Sequence, residues 1–274
     1  MKRVLLSCLL VLAAVVAPAQ QRAAYRTVSD LAYRQEASGY AAERCKLDLY
    51  YPENVKDFPT VVWFHGGGIT SGSKEVPTAL RNSGLAVVAV NYRLLPQASV
   101  KESIDDAAAA VAWVFHNIAQ YGGDVRKIFV AGHSAGGYLT DMVLLDKTNL
   151  QRYGVDADDI AGAFPFSAQV ITHYNVRKQS DVGPLQPRID DTAPLFHVRK
   201  VPMPVFVLSG DRELELYGRY EEQAYFWRMM KLNGCEQVYL YEFDGFDHGG
   251  MCTPGYEVMK RQIKNILSGQ PLPR

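Results

Sequence analysis

The octapeptide Val130-Ala-Gly-His-Ser-Ala-Gly-Gly137 constrains this chain more than any other stretch. The residues leading into it, from Lys127 to Ala131, are largely apolar and β-prone. From Tyr138 onward, apolar side chains recur at helical spacing, at Leu139, Met142 and Val143. A strand that runs straight into a helix through Gly132-His-Ser-Ala-Gly136 must turn sharply. Its central residue is forced into a sparsely populated backbone conformation, and a glycine two residues away on each side leaves room for neighbouring backbone. Such an elbow holds Ser134 Oγ out at the carboxyl end of a sheet, with a helix N-terminus beneath it.

The remaining pattern is consistent with that sheet. Tyr25 to Arg34 reads as an edge strand. Cys45 to Tyr51 alternates apolar and polar and stops at Pro52, while Thr60 to Phe64 and Leu85 to Val90 are continuous apolar runs of the kind buried on both faces. Helical material is expected from Lys74 to Asn82. A helix from Ser103 to Ile118 places Ile104, Ala107, Ala108, Val111, Phe115 and Ile118 on one face. Further strands are predicted at Ile160–Ser167, Pro204–Leu208 and Glu236–Phe243, and further helices at Tyr217–Leu232 and Tyr256–Leu267. Alternation of this kind predicts an α/β fold, a mostly parallel central sheet with helices on both faces. With 274 residues, 48% hydrophobic and 21% charged, and no repeat or linker, one domain over 20–274 is expected.

In such a sheet the reactive loops follow the strand ends. If Ser134 is a nucleophile, it needs an imidazole to take its proton and a carboxylate to orient that imidazole. Both residue types occur past later strands: Gly210-Asp-Arg-Glu213 after one, and Asp244-Gly-Phe-Asp-His248 after the next. The order serine, acid, histidine suits this architecture. An earlier strand ends in His65-Gly-Gly-Gly68, where glycines let backbone N–H groups approach a developing oxyanion; Gly67, Gly68 and Ala135 are the expected donors.

Together, His65-Gly-Gly-Gly68, Gly132-His-Ser-Ala-Gly136 and the late His248 resemble the α/β-hydrolase superfamily. More narrowly, they resemble the HGGG-type esterases of the hormone-sensitive-lipase and feruloyl/acetylxylan-esterase-like groups. The likeness runs from Leu47-Asp-Leu-Tyr50 to the last helix. It implies a triad of Ser134, a late acid and His248, and an oxyanion hole of Gly67, Gly68 and Ala135. Family members usually place an Asp three residues after the strand-end glycine. That position is Glu213 here, with Asp211 as the alternative acid and Glu215 as a third candidate. The stretch 168–200 lies where hydrolases of this kind insert pocket walls, and His173, Tyr174, Arg177 and Arg188 could bind a sugar or an acidic substituent; a solvated loop is the competing reading. His65 is expected to brace the glycine loop, His133 to hydrogen-bond locally, and Tyr225, Phe226 and Trp227 to pack. Asp247 is expected to be a loop carboxylate. Tyr92 and Arg93 suit either a pocket or a structural role.

Lys2 and Arg3 precede an apolar run from Val4 to Ala17 and the small-residue site Ala17-Pro-Ala19. This reads as a secretory signal peptide over 1–19, cleaved after Ala19 and too short for a stable membrane span; a lipoprotein anchor at Cys8 is the weaker reading. A secreted or periplasmic protein follows. Basic and acidic residues total 29 each, which gives no charge asymmetry toward nucleic acid. Cys45, Cys235 and Cys252 are too sparse for a disulfide framework and lack the spacing of a metal site, and no cofactor is implied. The expected activity is hydrolysis of a small ester or an esterified polysaccharide, acetyl or feruloyl, through a covalent acyl-enzyme. A peptidase or amidase on the same fold, and a catalytically inactive binding module, are the alternatives.

Overall fold

The computed structural model describes residues 23–35, 37–180 and 183–273. The signal peptide expected over 1–19, with Cys8, lies outside them. The strands are β1 (Tyr25–Ala32), β2 (Lys46–Pro52), β3 (Phe58–Phe64), β4 (Ala86–Val90), β5 (Gly123–His133), β6 (Gly162–Phe166), β7 (Val205–Gly210) and β8 (Val238–Phe243). The helices are α1 (Gly39–Arg44), α2 (Val100–Asn117), α3 (Ala135–Leu145), α4 (Lys147–Gln151), α5 (Tyr174–Arg177), α6 (Arg219–Leu232) and α7 (Cys252–Ser268). The strands form one sheet in the order β1-β2-β4-β3-β5-β6-β7-β8. Only the pairs β1–β2 and β2–β4 are antiparallel; from β4 to β8 every pair is parallel.

The apolar runs are buried on both faces because side chains alternate along a strand. Val62, Phe64, Val88, Val90 and Val130 point into one core, shared with α2, α3 and α6. Val61, Trp63, Val87, Phe129 and Ala131 point into the other, which α7 covers with Met259 and Ile263. The helix expected from Ser103 starts earlier, because Ser99 and Glu102 form a reciprocal capping box, an arrangement typically contributing about 1 kcal/mol.

Two expectations fail for local reasons. Instead of a helix over Lys74–Asn82, there is a single 3₁₀ turn at Thr78–Leu80. The Lys74 N–H donates to Asn91 Oδ1 at 2.6 Å, its ammonium pairs with Asp48 and Asp30, and Pro77 has no N–H to give. Helix α6 starts at Arg219 rather than Tyr217, since Tyr217 (φ 52°) and Gly218 (φ 70°) both lie in the left-handed region. The short helices α1 and α4 carry no periodic signal that a sequence reading would find.

Candidate active site

Ser134 sits between β5 and α3 at φ 57°, ψ −114°, a conformation that an ordinary residue holds only when its surroundings enforce it. They do so here. The Ser134 N–H donates to Phe166 O at 2.8 Å, tying the elbow to the end of β6. Gly136 passes so close to β3 that a Cβ there would lie 2.0 Å from Phe64 O.

His248, in the loop between β8 and α7, brings its Nε2 to 3.0 Å from Ser134 Oγ. Its Nδ1 lies 2.8 Å from Oε2 of Glu215. The carboxylate on the imidazole is therefore Glu215, and neither Glu213 nor Asp211 reaches it. The reason is the coiling of the loop after β7. Asp211 folds back on itself, accepting from the Glu213 N–H and, across to the β8 loop, from the Gly245 N–H, both at 2.8 Å. The Glu215 N–H then bonds Asp211 O at 2.9 Å, a helical i to i+4 step that leaves Glu213 facing solvent. The Glu215 side chain is 1% exposed. Burial acts to raise its pKa, but hydrogen bonds from His248, Ser167 and the Gly210 N–H overcome that and hold it down at about 2. The sequence signal for this residue was its flanks: of the three carboxylates, Glu215 alone has leucines on both sides, Leu214 and Leu216.

The histidine loop is anchored from the elbow itself. His133 lies 2.8 Å through Nε2 from His248 O, to which it donates, and the two rings sit 4.7 Å apart. Burial holds His133 at about 4, so it stays neutral and local, as its sequence context suggested. Asp247 accepts from the Gly250 N–H at 2.7 Å and is a loop carboxylate.

The glycine loop is set by bonds on its far side. A peptide carbonyl and the following N–H point in opposite directions, so holding one aims the other. His65 Nδ1 donates to Gly66 O at 2.6 Å, which directs the Gly67 N–H. The Gly67 carbonyl accepts from the Thr70 and Ser71 N–H groups at 3.1 and 3.0 Å, which directs the Gly68 N–H. The tight return demands φ 107° at Gly67, where a Cβ would lie 2.2 Å from Ser71 O. Burial keeps His65 neutral, at about 4, stacked on Tyr92 with centroids 4.4 Å apart. Tyr92 donates to His65 O, and Arg93 pairs with Asp106 and Glu102 of α2; both are structural. Ala135 opens α3 beneath the serine, where an N–H has no partner within the helix.

A cavity of about 380 Å³ lies over these atoms, lined by Gly67, Gly68, Ser134 and His248 and walled by Gln169, His173, Tyr174, Asn175, Tyr217 and Arg219. Residues 169–175 of the 168–200 stretch thus supply one wall, while 183–191 are largely exposed. The stretch is pinned by Tyr138 Oη to Thr192 O (2.6 Å), by Val170 N to Glu222 (3.2 Å) and by Asn175 Nδ2 to Gly68 O (2.7 Å). Tyr174 and Tyr217 stack with centroids 4.8 Å apart at its rim. Arg177 lines a neighbouring cavity with the half-exposed Tyr225, and Arg188 pairs with Asp190 away from the serine. Phe226 is fully buried and Trp227 bonds Val238 O. A larger groove of about 610 Å³ beside α7 contains none of these site residues. Among the described residues no cluster of His, Cys, Asp and Glu is arranged to hold a metal, Cys45, Cys235 and Cys252 are free thiols, and no helix is long and apolar enough to cross a membrane.

The doubly covered sheet, with the strained serine between β5 and α3 and the carboxylate and histidine after β7 and β8, is the α/β-hydrolase fold. With its His-Gly-Gly-Gly loop, the chain is similar to the HGGG-type esterases. The BD-FAE family model matches residues 47–180. Carboxylesterase NlhH of Mycobacterium tuberculosis is 43% identical over 98 residues, covering 34% of this chain and 31% of that protein. A probable isoprenylcysteine alpha-carbonyl methylesterase of Oryza sativa is 35% identical over 107 residues, covering 37% of this chain and 25% of that protein. The matched stretches thus span about a quarter to a third of these relatives' length. In fold, the chain is similar to a truncated carbohydrate esterase from gut microbiota, with a TM-score of 0.73 at 15% identity, over 91% of this chain and 98% of that one.

Proposed function

We propose that this protein is a serine carboxylic-ester hydrolase that works through a covalent acyl-enzyme, with acetyl or feruloyl esters of polysaccharides as its substrates. The observation that carries the reading is His248, which bridges Ser134 Oγ at 3.0 Å and Glu215 Oε2 at 2.8 Å beside the glycine loop. With Nδ1–H donated to Glu215, Nε2 is free to accept the serine proton. Ser134 Oγ attacks the ester carbonyl, and the bond from carbonyl carbon to Oγ forms as His248 takes the proton. The Gly67, Gly68 and Ala135 N–H groups face the developing oxyanion, a role worth about 3 kcal/mol per donor in comparable sites. His248 then protonates the departing alkoxide. Water, deprotonated by the same imidazole, cleaves the acyl-enzyme and releases the acid.

The substrate class draws its support from the cavity. A volume of about 380 Å³ with Gln169, His173, Asn175 and Arg219 in its walls suits a short acyl group on a polar alcohol. The stacked Tyr174–Tyr217 pair offers a flat face to a sugar or aryl ring. An exported location, secreted or periplasmic, is part of the same proposal and rests on the leader-like first 19 residues. The test is hydrolysis of p-nitrophenyl acetate, p-nitrophenyl butyrate, methyl ferulate and acetylated xylan by wild type and Ser134→Ala. The expected result is turnover by wild type and a loss of about 10⁴-fold or more in the variant. No turnover of any ester would overturn the reading.

A further inference from the structure

Ser167 is the first residue after β6, and its φ of 45° is left-handed although it is not glycine. It is completely buried. Strain of this kind persists where the surroundings impose it, and three backbone contacts do so. The Ser167 N–H donates to Leu208 O of β7 at 2.6 Å. The preceding carbonyl, Phe166 O, accepts from the nucleophile's own N–H. The Ser167 carbonyl accepts from the guanidinium of Arg219, itself buried. The residue therefore links the strand that carries the serine to the strand that precedes the acid.

This conformation turns the Ser167 hydroxyl onto the acid–imidazole pair. Oγ lies 2.8 Å from His248 Nδ1, the same nitrogen that meets Glu215 at 2.8 Å. A hydroxyl has one proton to give and lone pairs to accept with. His248 Nδ1 is shared between Glu215 Oε2 and Ser167 Oγ, each at 2.8 Å. The carboxylate also accepts from Gly210 N at 3.0 Å and Leu216 N at 3.1 Å. The backbone donors hold the acid from its own loop; Ser167 meets the imidazole at the nitrogen the acid also holds.

We propose that Ser167 is a positioning residue of the hydrolytic site. Its hydroxyl joins Glu215 in a network at His248 Nδ1 that holds the imidazole with Nδ1–H toward the acid and Nε2 toward Ser134. The proposal rests on the serine-hydrolase reading above. Ser167 touches neither substrate nor the reacting atoms, so its removal acts on the rate of chemistry and not on binding.

The experiment compares Ser167→Ala, Ser167→Gly, Glu215→Gln and the Ser167→Ala/Glu215→Gln double variant with wild type on p-nitrophenyl acetate. Ser134→Ala serves as the control for the reading itself. Ser167→Ala is expected to lower kcat about 10- to 100-fold with KM within twofold, and to shift the low-field proton resonance of His248 Nδ1–H. Ser167→Gly relieves the backbone strain but also lacks the hydroxyl, so it is expected to be as slow as Ser167→Ala. In the Glu215→Gln background the Ser167→Ala loss is expected to shrink to less than threefold, because the network is already broken. Wild-type kcat in Ser167→Ala with an unmoved resonance would overturn the proposal while leaving the esterase standing. Full activity in Ser167→Gly would do the same, showing that only backbone conformation matters there. A wild type as inert as Ser134→Ala would remove both.

Discussion

The two halves of the site are built by opposite means. The elbow at Gly132–Gly136 is fixed by lack of space: Gly136 is packed so tightly on Phe64 O that no side chain fits, and Ser134 has no other path from β5 into α3. The acid loop at Asp211–Tyr217 is open and is fixed by hydrogen bonds. Asp211 coils it, Gly210 and Leu216 hold the Glu215 carboxylate, and the loop's other side chains face solvent or the pocket rim. A motif survives translation into sequence when sterics allow only one residue type. A loop held by carboxylates that could each accept the same bonds does not.

If the contrast is right, the two regions should fail differently. The largest effect belongs to the elbow. Gly136→Ala would force a Cβ to within 2.0 Å of a backbone oxygen in the core, so little or no folded protein is expected, and circular dichroism of the purified variant checks it. A native-like spectrum and thermal midpoint would show that the elbow is less confined than its geometry indicates.

In the acid loop, replacing one side chain should leave the fold and remove the chemistry. Glu215→Gln is expected to lower kcat about 10²- to 10⁴-fold, the range seen when a triad acid is neutralised, while Glu213→Gln stays within about twofold of wild type. Steady-state kinetics of the pair decides between the two carboxylates, and the reverse ranking would return the role to Glu213.

The smallest effect is graded, and it separates the regions by pH. Burial lowers His65 and His133 to about 4 and His173 to about 3, from an ordinary 6.5. The unfolded chain therefore binds protons that the folded one refuses. Stability from these groups is complete above pH 6.5 and is lost as pH falls toward 4 for His65 and His133 and toward 3 for His173. Glu215, lowered from 4.5 to about 2 despite its burial, adds a second loss between pH 4.5 and 2. Urea midpoints measured from pH 8 to pH 3 should fall steadily below 6.5, with the decline below 4.5 shallower in Glu215→Gln. A stability maximum below pH 5.5 would contradict the neutral, buried state of the three histidines.

Much of the molecule is written locally. Continuous apolar runs at Thr60–Phe64 and Leu85–Val90 can be accommodated only in the middle of a sheet covered on both faces, and that is where β3 and β4 lie. Glycine spacing around Ser134, and Gly67 after His65, follow from close backbone approach, which is a property of the residues themselves. The fold, and the gathering of Ser134, His248 and the glycine loop at one end of the sheet, were therefore legible. Tertiary structure decided what depends on residues far apart in the chain. Asp211 is turned away from His248 by the N–H of Gly245, 34 residues on. Ser167 gains its contact with His248 only because β6 ends between β5 and β7. The 168–200 stretch has no period of its own, and its residues 169–175 become a pocket wall through bonds from Asn175 to Gly68 and from the Val170 N–H to Glu222. Steric limits act over a few residues and leave a pattern; a hydrogen bond across the fold leaves none, because any of several nearby carboxylates or hydroxyls could have made it.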